Sequence, residues 1–312
     1  MKGKLHPPAW KTLLAFGIIY FVCGSTFLAI RVGVREVPPF LFAALRFLIA
    51  GVILWVCALI SGERVPNRRE WASVLALATL IFVFDYGLLF WAELRIPSGV
   101  AAVMMATIPA FTALSEILIL RTQKFTARLG IALLVGLAGV GALMLPNLKL
   151  GGAPINAVGA IALIFASLSW SVASALNRKL ALPASKIMSS GTQMFAGGVL
   201  LALSAAGLGE FRGFRVGAVS AGAWIALAYL IVPGSIIGFT AYVWLLDHQS
   251  PTKVGTYAYV NPVVAVLAGY FLGGETLGLR TILGALCVLI SVVTITTARA
   301  NKRAPALTGA TK

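Results

Sequence analysis

Residues 38–60 read PPFLFAALRFLIAGVILWVCALI, an unbroken apolar run behind two prolines with one charged side chain, Arg46, in its length. As a helix rising about 1.5 Å per residue, such a run crosses a hydrocarbon core of ~30 Å. Similar runs recur along the whole chain between short breaks rich in Pro, Gly, Arg and Lys. Ten spans are expected, at 11–32, 39–60, 71–92, 97–120, 126–145, 157–178, 187–207, 218–246, 252–274 and 279–298. The first is too long for a secretory signal and leads straight into the second, so it is read as a span.

Composition demands the same reading. The 312 residues are 60% hydrophobic and 11% charged, with a mean hydropathy of +0.96, whereas soluble domains carry roughly a quarter charged residues. The surplus apolar surface must face lipid, and the predicted fold class is an all-α polytopic membrane protein. A net charge of +16 could suggest nucleic acid, but the basic residues are scattered singly between apolar runs, so no nucleic-acid partner is expected. Cys23, Cys57 and Cys287 fall inside apolar runs without ligand or redox spacing and read as small packing residues. The two histidines, His6 and His248, form no catalytic or metal cluster. No glycine-lysine phosphate loop is present, so no nucleotide or other cofactor is expected.

Orientation follows from Lys and Arg. With the amino terminus inside, the inner segments hold 17 of them and the outer segments 7, leaving Arg46 alone within a span. Both termini are therefore expected in the cytoplasm of a multi-pass inner-membrane protein.

The chain also repeats itself. A shift of 146 superposes Ser25 on Ser171, Ala29 on Ala175 and Ala50-Gly51 on Ala196-Gly197; a shift of 153 superposes Trp71 on Trp224, Trp91 on Trp244 and Pro109 on Pro262. The step between the two shifts is a longer loop near 208–217. The expected division is 1–150 and 151–312, the second unit ending in a short cytoplasmic tail. Each unit holds five spans, an odd number, so the second enters the membrane from the opposite face. Inverted five-helix repeats are the architecture of alternating access.

The strings GSTFLAIR (24–31), PPFLFAALRFLIAG (38–51), PSGVAAVMMATIP (97–109), TYAYVNPVVAVLAG (256–269) and GGETL (273–277) resemble the drug/metabolite transporter superfamily, specifically its ten-helix EamA-type exporters and in wording its YedA-type members. The resemblance covers most of the chain and is not specific for substrate. It implies export of small metabolites or toxic compounds, amino acids among them, through a central cavity between inverted halves. One departure is Arg121-Thr122 at the end of the fourth span, where many relatives carry a glutamate matching Glu275 of the ninth.

Ionisable residues inside a bilayer require a partner or a wet cavity. Arg46 and Asp85 both fall ~10–12 Å beneath the outer surface when counted along ideal helices. An Arg46–Asp85 ion pair is expected, either a structural bridge or part of an outer gate or substrate-charge site. Glu93 and Arg95 close the third span at the outer interface, where long side chains snorkel to water; Glu93 is also a candidate for contact with substrate or coupling ion. Glu116 should reach water or the basic segment from Arg121 to Arg128. Pro109 and Pro262 interrupt the fourth and ninth spans and free carbonyls that lipid cannot satisfy. Around them stand Met104, Met105 and Thr112, and Tyr257, Tyr259 and Asn261, read either as cavity wall or as kinked-helix packing. Trp170 is bracketed by Ser167, Ser169 and Ser171. Gln193 needs a partner, in the cavity or on a neighbouring helix. Pro233-Gly234 marks a hinge, with Tyr242 and Trp244 beyond it, and Gly136, Gly139 and Gly141 suggest a small-residue helix contact.

The nominated substrate-binding set is thus Arg46, Asp85, Glu93, Met105, Trp170, Gln193, Tyr257, Tyr259 and Asn261. The expected partners are a small-molecule substrate, the lipid bilayer and protons as coupling ion. Two other classes compete with this reading. An integral-membrane enzyme on lipid-linked substrates would need His, Asp or Glu clustered at one interface, and here they are dispersed. A structural or pore-forming subunit would need charged pore-lining residues, and few are present.

Overall fold

Prolines and small polar residues decide where the helices begin. Pro38 and Pro97 precede helices in extended conformation, and Pro39 occupies a first-turn position where its missing N–H costs nothing. Asn67, Asn156, Ser185 and Ser220 cap four more starts through their side-chain oxygens. At Asn67 the cap is reciprocal. Its Oδ1 accepts from the Glu70 amide at 2.9 Å, its own amide donates to Glu70 Oε2 at 2.8 Å, and Arg64 holds that carboxylate from outside at 2.8 and 2.5 Å.

A computed structural model describes residues 8–121, 156–248, 257–276 and 278–303, with positions 126, 127, 130, 131, 134–136, 138, 139 and 254 besides. Its helices are α1 (Ala9–Val34), α2 (Pro39–Ile60), α3 (Arg68–Glu93), α4 (Ser98–Leu120), α5 (Ala157–Leu176), α6 (Lys186–Gly207), α7 (Ala221–Tyr229, Leu230–Ile237 and Gly238–His248 in succession), α8 (Tyr257–Phe271) and α9 (Leu279–Arg303). No strand occurs among the described residues. Among the described residues seven helices, α1 to α7, have the length and apolarity to cross a membrane, and α8 and α9 contain shorter apolar stretches, Val260–Phe271 and Thr281–Ser291. Most of the expected span 126–145 lies outside the described residues, as does Gly141; Gly136 and Gly139 abut Ser291 and Cys287 of α9 closely enough that a methyl group would clash.

The surface is apolar in the way a lipid-facing protein requires: Ile60 is 82% exposed and Leu272 78%. Inside, helices from the two halves of the chain interleave. α1 packs on α7 and α8, α4 packs on α5 and α8, and α3 packs on α5 and α6. The closest pair is α2 with α6, where glycines on each helix meet the other's backbone. Gly51 faces Phe195, Gly198 faces the Leu48 amide and Gly191 faces the Trp55 amide.

Two of the long helices widen in mid-course into π-helical turns, Thr79–Gly87 in α3 and Leu230–Ile237 in α7. They occupy similar places under the 153-residue shift. A π turn leaves carbonyls loosely bonded, and hydroxyls recover two of them: Ser169 donates to Leu80 O at 2.8 Å and Ser235 to Leu230 O at 3.0 Å. In α4 the interruption falls earlier than Pro109. The helix pauses at Ala106-Thr107, Thr107 bonds the Met104 carbonyl at 2.7 Å, and Pro109 then lies in the first turn of the resumed helix.

At one end of the bundle three glutamates bridge the halves by capping helix starts. Glu275 accepts from the Ser98 amide and hydroxyl, both at 2.7 Å, and from the Gly99 amide at 3.2 Å. Glu210 accepts from the amides of Leu41 (2.8 Å) and Phe40 (3.3 Å). Glu36 accepts from the Ser220 amide (2.6 Å) and hydroxyl (2.7 Å), which hold its carboxyl below the usual carboxylate range. Glu210 lies the other way, pushed up by partial burial against the pull of its two amides. A carboxylate at a helix start also meets the positive end of the helix dipole. At the opposite end Arg178 lies 3.5 Å from Glu116, and Lys179 donates to Ile119 O at 2.6 Å. Glu116 thus turns to Arg178, just beyond the end of α5, rather than only to the expected Arg121–Arg128 segment, part of which lies outside the described residues.

Candidate functional site

Between the two halves lies a cavity of about 390 Å³, walled by side chains from α1 through α8. Seven of the nine nominated residues line it: Arg46, Asp85, Met105, Trp170, Gln193, Tyr257 and Asn261. The side chain of Tyr259 lies outside the described residues. Glu93 is elsewhere, buried at the end of α3.

The expected Arg46–Asp85 ion pair is not formed. Arg46, 4% exposed, donates from Nε to Ser235 Oγ at 3.0 Å, and its guanidinium carbon lies 4.7 Å from the Phe47 ring centre and 5.4 Å from that of Tyr86. Its Nη1 has no hydrogen-bond partner, and neither has Oδ1 of Asp85, which is 2% exposed. The reason is the π turn. The depth count assumed an uninterrupted α-helix, and one extra residue per turn swings every later side chain by about 100°. Ser235, from the matching π turn of α7, holds the arginine instead. The Pro233-Gly234 pair sits in that same turn; a methyl on Gly234 would press on Thr26 at 3.1 Å, so the glycine lets α7 approach α1 closely there.

The remaining wall is aromatic with isolated polar groups. Trp170 meets Tyr86 edge to face at 6.1 Å, and Tyr257 meets Tyr242 likewise at 6.0 Å. Gln193 bonds Ser189 of its own helix at 3.0 Å, one turn back, and not a neighbouring helix. Met105 Sδ accepts from Ser167 at 3.4 Å, and Oδ1 of Asn261 has no partner. Trp244 stacks on His248 at 4.3 Å, away from the cavity lining. Among the described residues no group of three or more His, Cys, Asp or Glu side chains gathers as a metal site would.

Several lining residues escaped the sequence reading, chiefly Phe47, Tyr86, Ser235 and Phe239. Tyr86 and Phe47 each adjoin a nominated charge, which was the available signal. The reading of Glu93 as a snorkelling interfacial charge is corrected: the residue is 1% exposed, and α1 and α5 cover it. Arg95 instead lies flat on Trp91, 3.6 Å from the ring centre. Also unforeseen is the ion pair of Arg31 Nε with Glu275 Oε1 at 3.2 Å, although each residue stands in one of the recognised strings.

The family model for the EamA-like transporter family matches the chain twice, at residues 9–145 and 157–297. A protein of Escherichia coli K12, named the uncharacterized inner membrane transporter YedA, is 37% identical over 281 residues, covering 89% of this chain and 88% of that one. The uncharacterized transporter YvbV of Bacillus subtilis is 23% identical over 96% of both chains. Protein PecM of Dickeya dadantii is 28% identical over 86% of this chain and 88% of its own. One solved crystal structure superposes with a TM-score of 0.62 at 20% identity, covering 95% of this chain and 99% of that chain. With two family matches spanning most of its length and a 37% identical relative, this multi-pass membrane protein belongs to the EamA-like transporter family.

Proposed function

We propose that the protein is a secondary transporter that exports small metabolites carrying both charges, amino acids among them, by alternating access of the central cavity. The observation that carries this reading is that the cavity holds a cation and an acid not paired with each other. Arg46 keeps a free N–H group and Asp85 a free oxygen, both buried. Buried unpaired charges cost several kcal/mol, and a zwitterion restores both partners at once. Its carboxylate meets Arg46, its ammonium meets Asp85, and its apolar part lies among Phe82, Met105 and Trp170. A proton competing with the ammonium for Asp85 would couple export to a pH gradient.

The same reading takes the chain as ten spans in two inverted five-helix units, 1–150 and 151–312, with both termini in the cytoplasm and the three-glutamate end of the bundle outside. Matched π turns in α3 and α7 and the charge count support it.

Reconstituted vesicles test it. Labelled amino acids should show saturable flux driven by an imposed pH gradient, and Asp85→Asn should abolish that driven flux while sparing downhill exchange. Absence of movement of any amino acid, metabolite or cationic drug under every gradient would overturn the exporter reading. Unchanged driven flux in Asp85→Asn would reject this residue as the coupling site.

A further inference from the structure

Glu93 is the last residue of α3, and neither of its carboxyl oxygens has a hydrogen-bond partner although the residue is 1% exposed. Its surroundings are built. Arg31 Nη1 donates to the Glu93 carbonyl at 2.7 Å and to the carbonyl of Ile96, while Arg31 Nε pairs with Glu275. Glu275 in turn caps α4 through Ser98 and Gly99 and so ties the second half of the chain to the first. The guanidinium therefore pairs with one carboxylate, that of Glu275, and touches Glu93 only at its backbone carbonyl, while both its charge and that of Glu275 act on the unbonded Glu93 carboxyl. Among the described residues no other charged group acts on Glu93. The sequences of α5 and of Ser98–Met105 contain none, Arg46 of α2 is held at Ser235, Asp85 and Tyr86 lie two turns back at the cavity, and Arg95 is turned onto Trp91.

We propose that Glu93 is a proton-binding site that locks this end of the bundle: the Glu275 clasp holds while Glu93 is a neutral acid and opens when Glu93 gives up its proton. The step is a simple transfer, one proton passing between water and a Glu93 oxygen with no other bond changed. With Glu93 protonated, Arg31 and Glu275 balance. With Glu93 ionised, a second buried negative charge competes for Arg31, and relief comes from loosening Glu275 or admitting water. A metal cation suits the site poorly, because Arg31 occupies the two carbonyls it would use and repels it. This rests on the reading of the two halves as moving bodies, but the test reads the clasp itself and needs no flux.

Hydrogen exchange at the Ser98 and Gly99 amides, in full-length protein in lipid nanodiscs and corrected for intrinsic pH dependence, measures the clasp. From neutral to alkaline pH, wild-type exchange at these amides should quicken by about tenfold or more. Glu93→Gln, a permanent neutral acid mimic, should stay protected throughout, and Glu275→Gln should be unprotected at every pH. Glu93→Met serves where the Gln variant fails to fold and should be equally insensitive. A pH-independent wild type, or a pH response that persists without the Glu93 carboxyl, would overturn the proposal. So would sodium in place of choline at fixed pH, if it moved protection as far as the pH change does.

Discussion

Arg46→Gln is expected to weaken binding of a zwitterionic amino acid by about 30-fold to 5,000-fold, since losing one partner of a buried charged hydrogen bond costs about 2–5 kcal/mol. Titration calorimetry or counterflow with a transported amino acid would measure it. The unliganded protein should behave oppositely. Because Arg46 holds a buried guanidinium with Nη1 unpartnered, replacing it removes an uncompensated charge, and the thermal midpoint should stay level or rise. A structural bridge predicts the reverse, with lost stability and little change in binding. Arg46→Lys separates charge from shape. It keeps the cation but lacks the planar group that reaches Ser235 and lies near the Phe47 and Tyr86 rings, so binding should fall between the two.

A substitution at the α2–α6 seam should act first on folding. An added methyl at Gly191 would stand 2.7 Å from the Trp55 amide nitrogen, and one at Gly198 2.6 Å from that of Leu48. These are backbone atoms that cannot swing aside, so the helices must part. Overpacking costs about 1–3 kcal/mol per site, and Gly191→Leu with Gly198→Leu together should leave little monodisperse protein in mild detergent. Gly17→Ala is the control. Nothing lies within 4 Å of the methyl it adds, and Ala favours a helix by about 0.8–1 kcal/mol over Gly, so its thermal midpoint should hold or rise. Equal loss in the double variant and the control would show that the seam is not special.

The sequence carried the helices and part of the cavity wall because both follow from local features. Long apolar runs set the spans, and prolines and lone polar residues in them point to a cavity. Pro109 led to Met105, and Trp170 among serines stood out against an apolar helix. Register was the harder matter. Nothing in TLIFVFDYG (79–87) announces a π turn, since its residues suit an ordinary helix equally well, yet that turn decides where Asp85 points. Glu93 failed for a different reason. At the end of a span a carboxylate is ordinarily wet, and only the packing of α1 and α5 over it, from distant parts of the chain, takes the water away. The Arg31–Glu275 pair was hidden likewise, because residues 244 positions apart meet only once the halves interleave.

The glycine contact between α2 and α6 constrains how such a protein can move. Backbones that touch have no slack to slide, and close-packed surfaces resist shear. In the alternating-access mechanism proposed above, the halves would turn about this seam as about a fixed axle, one rim of the molecule narrowing as the other widens. Two glycine-studded helices would then keep both mouths from gaping at the same moment.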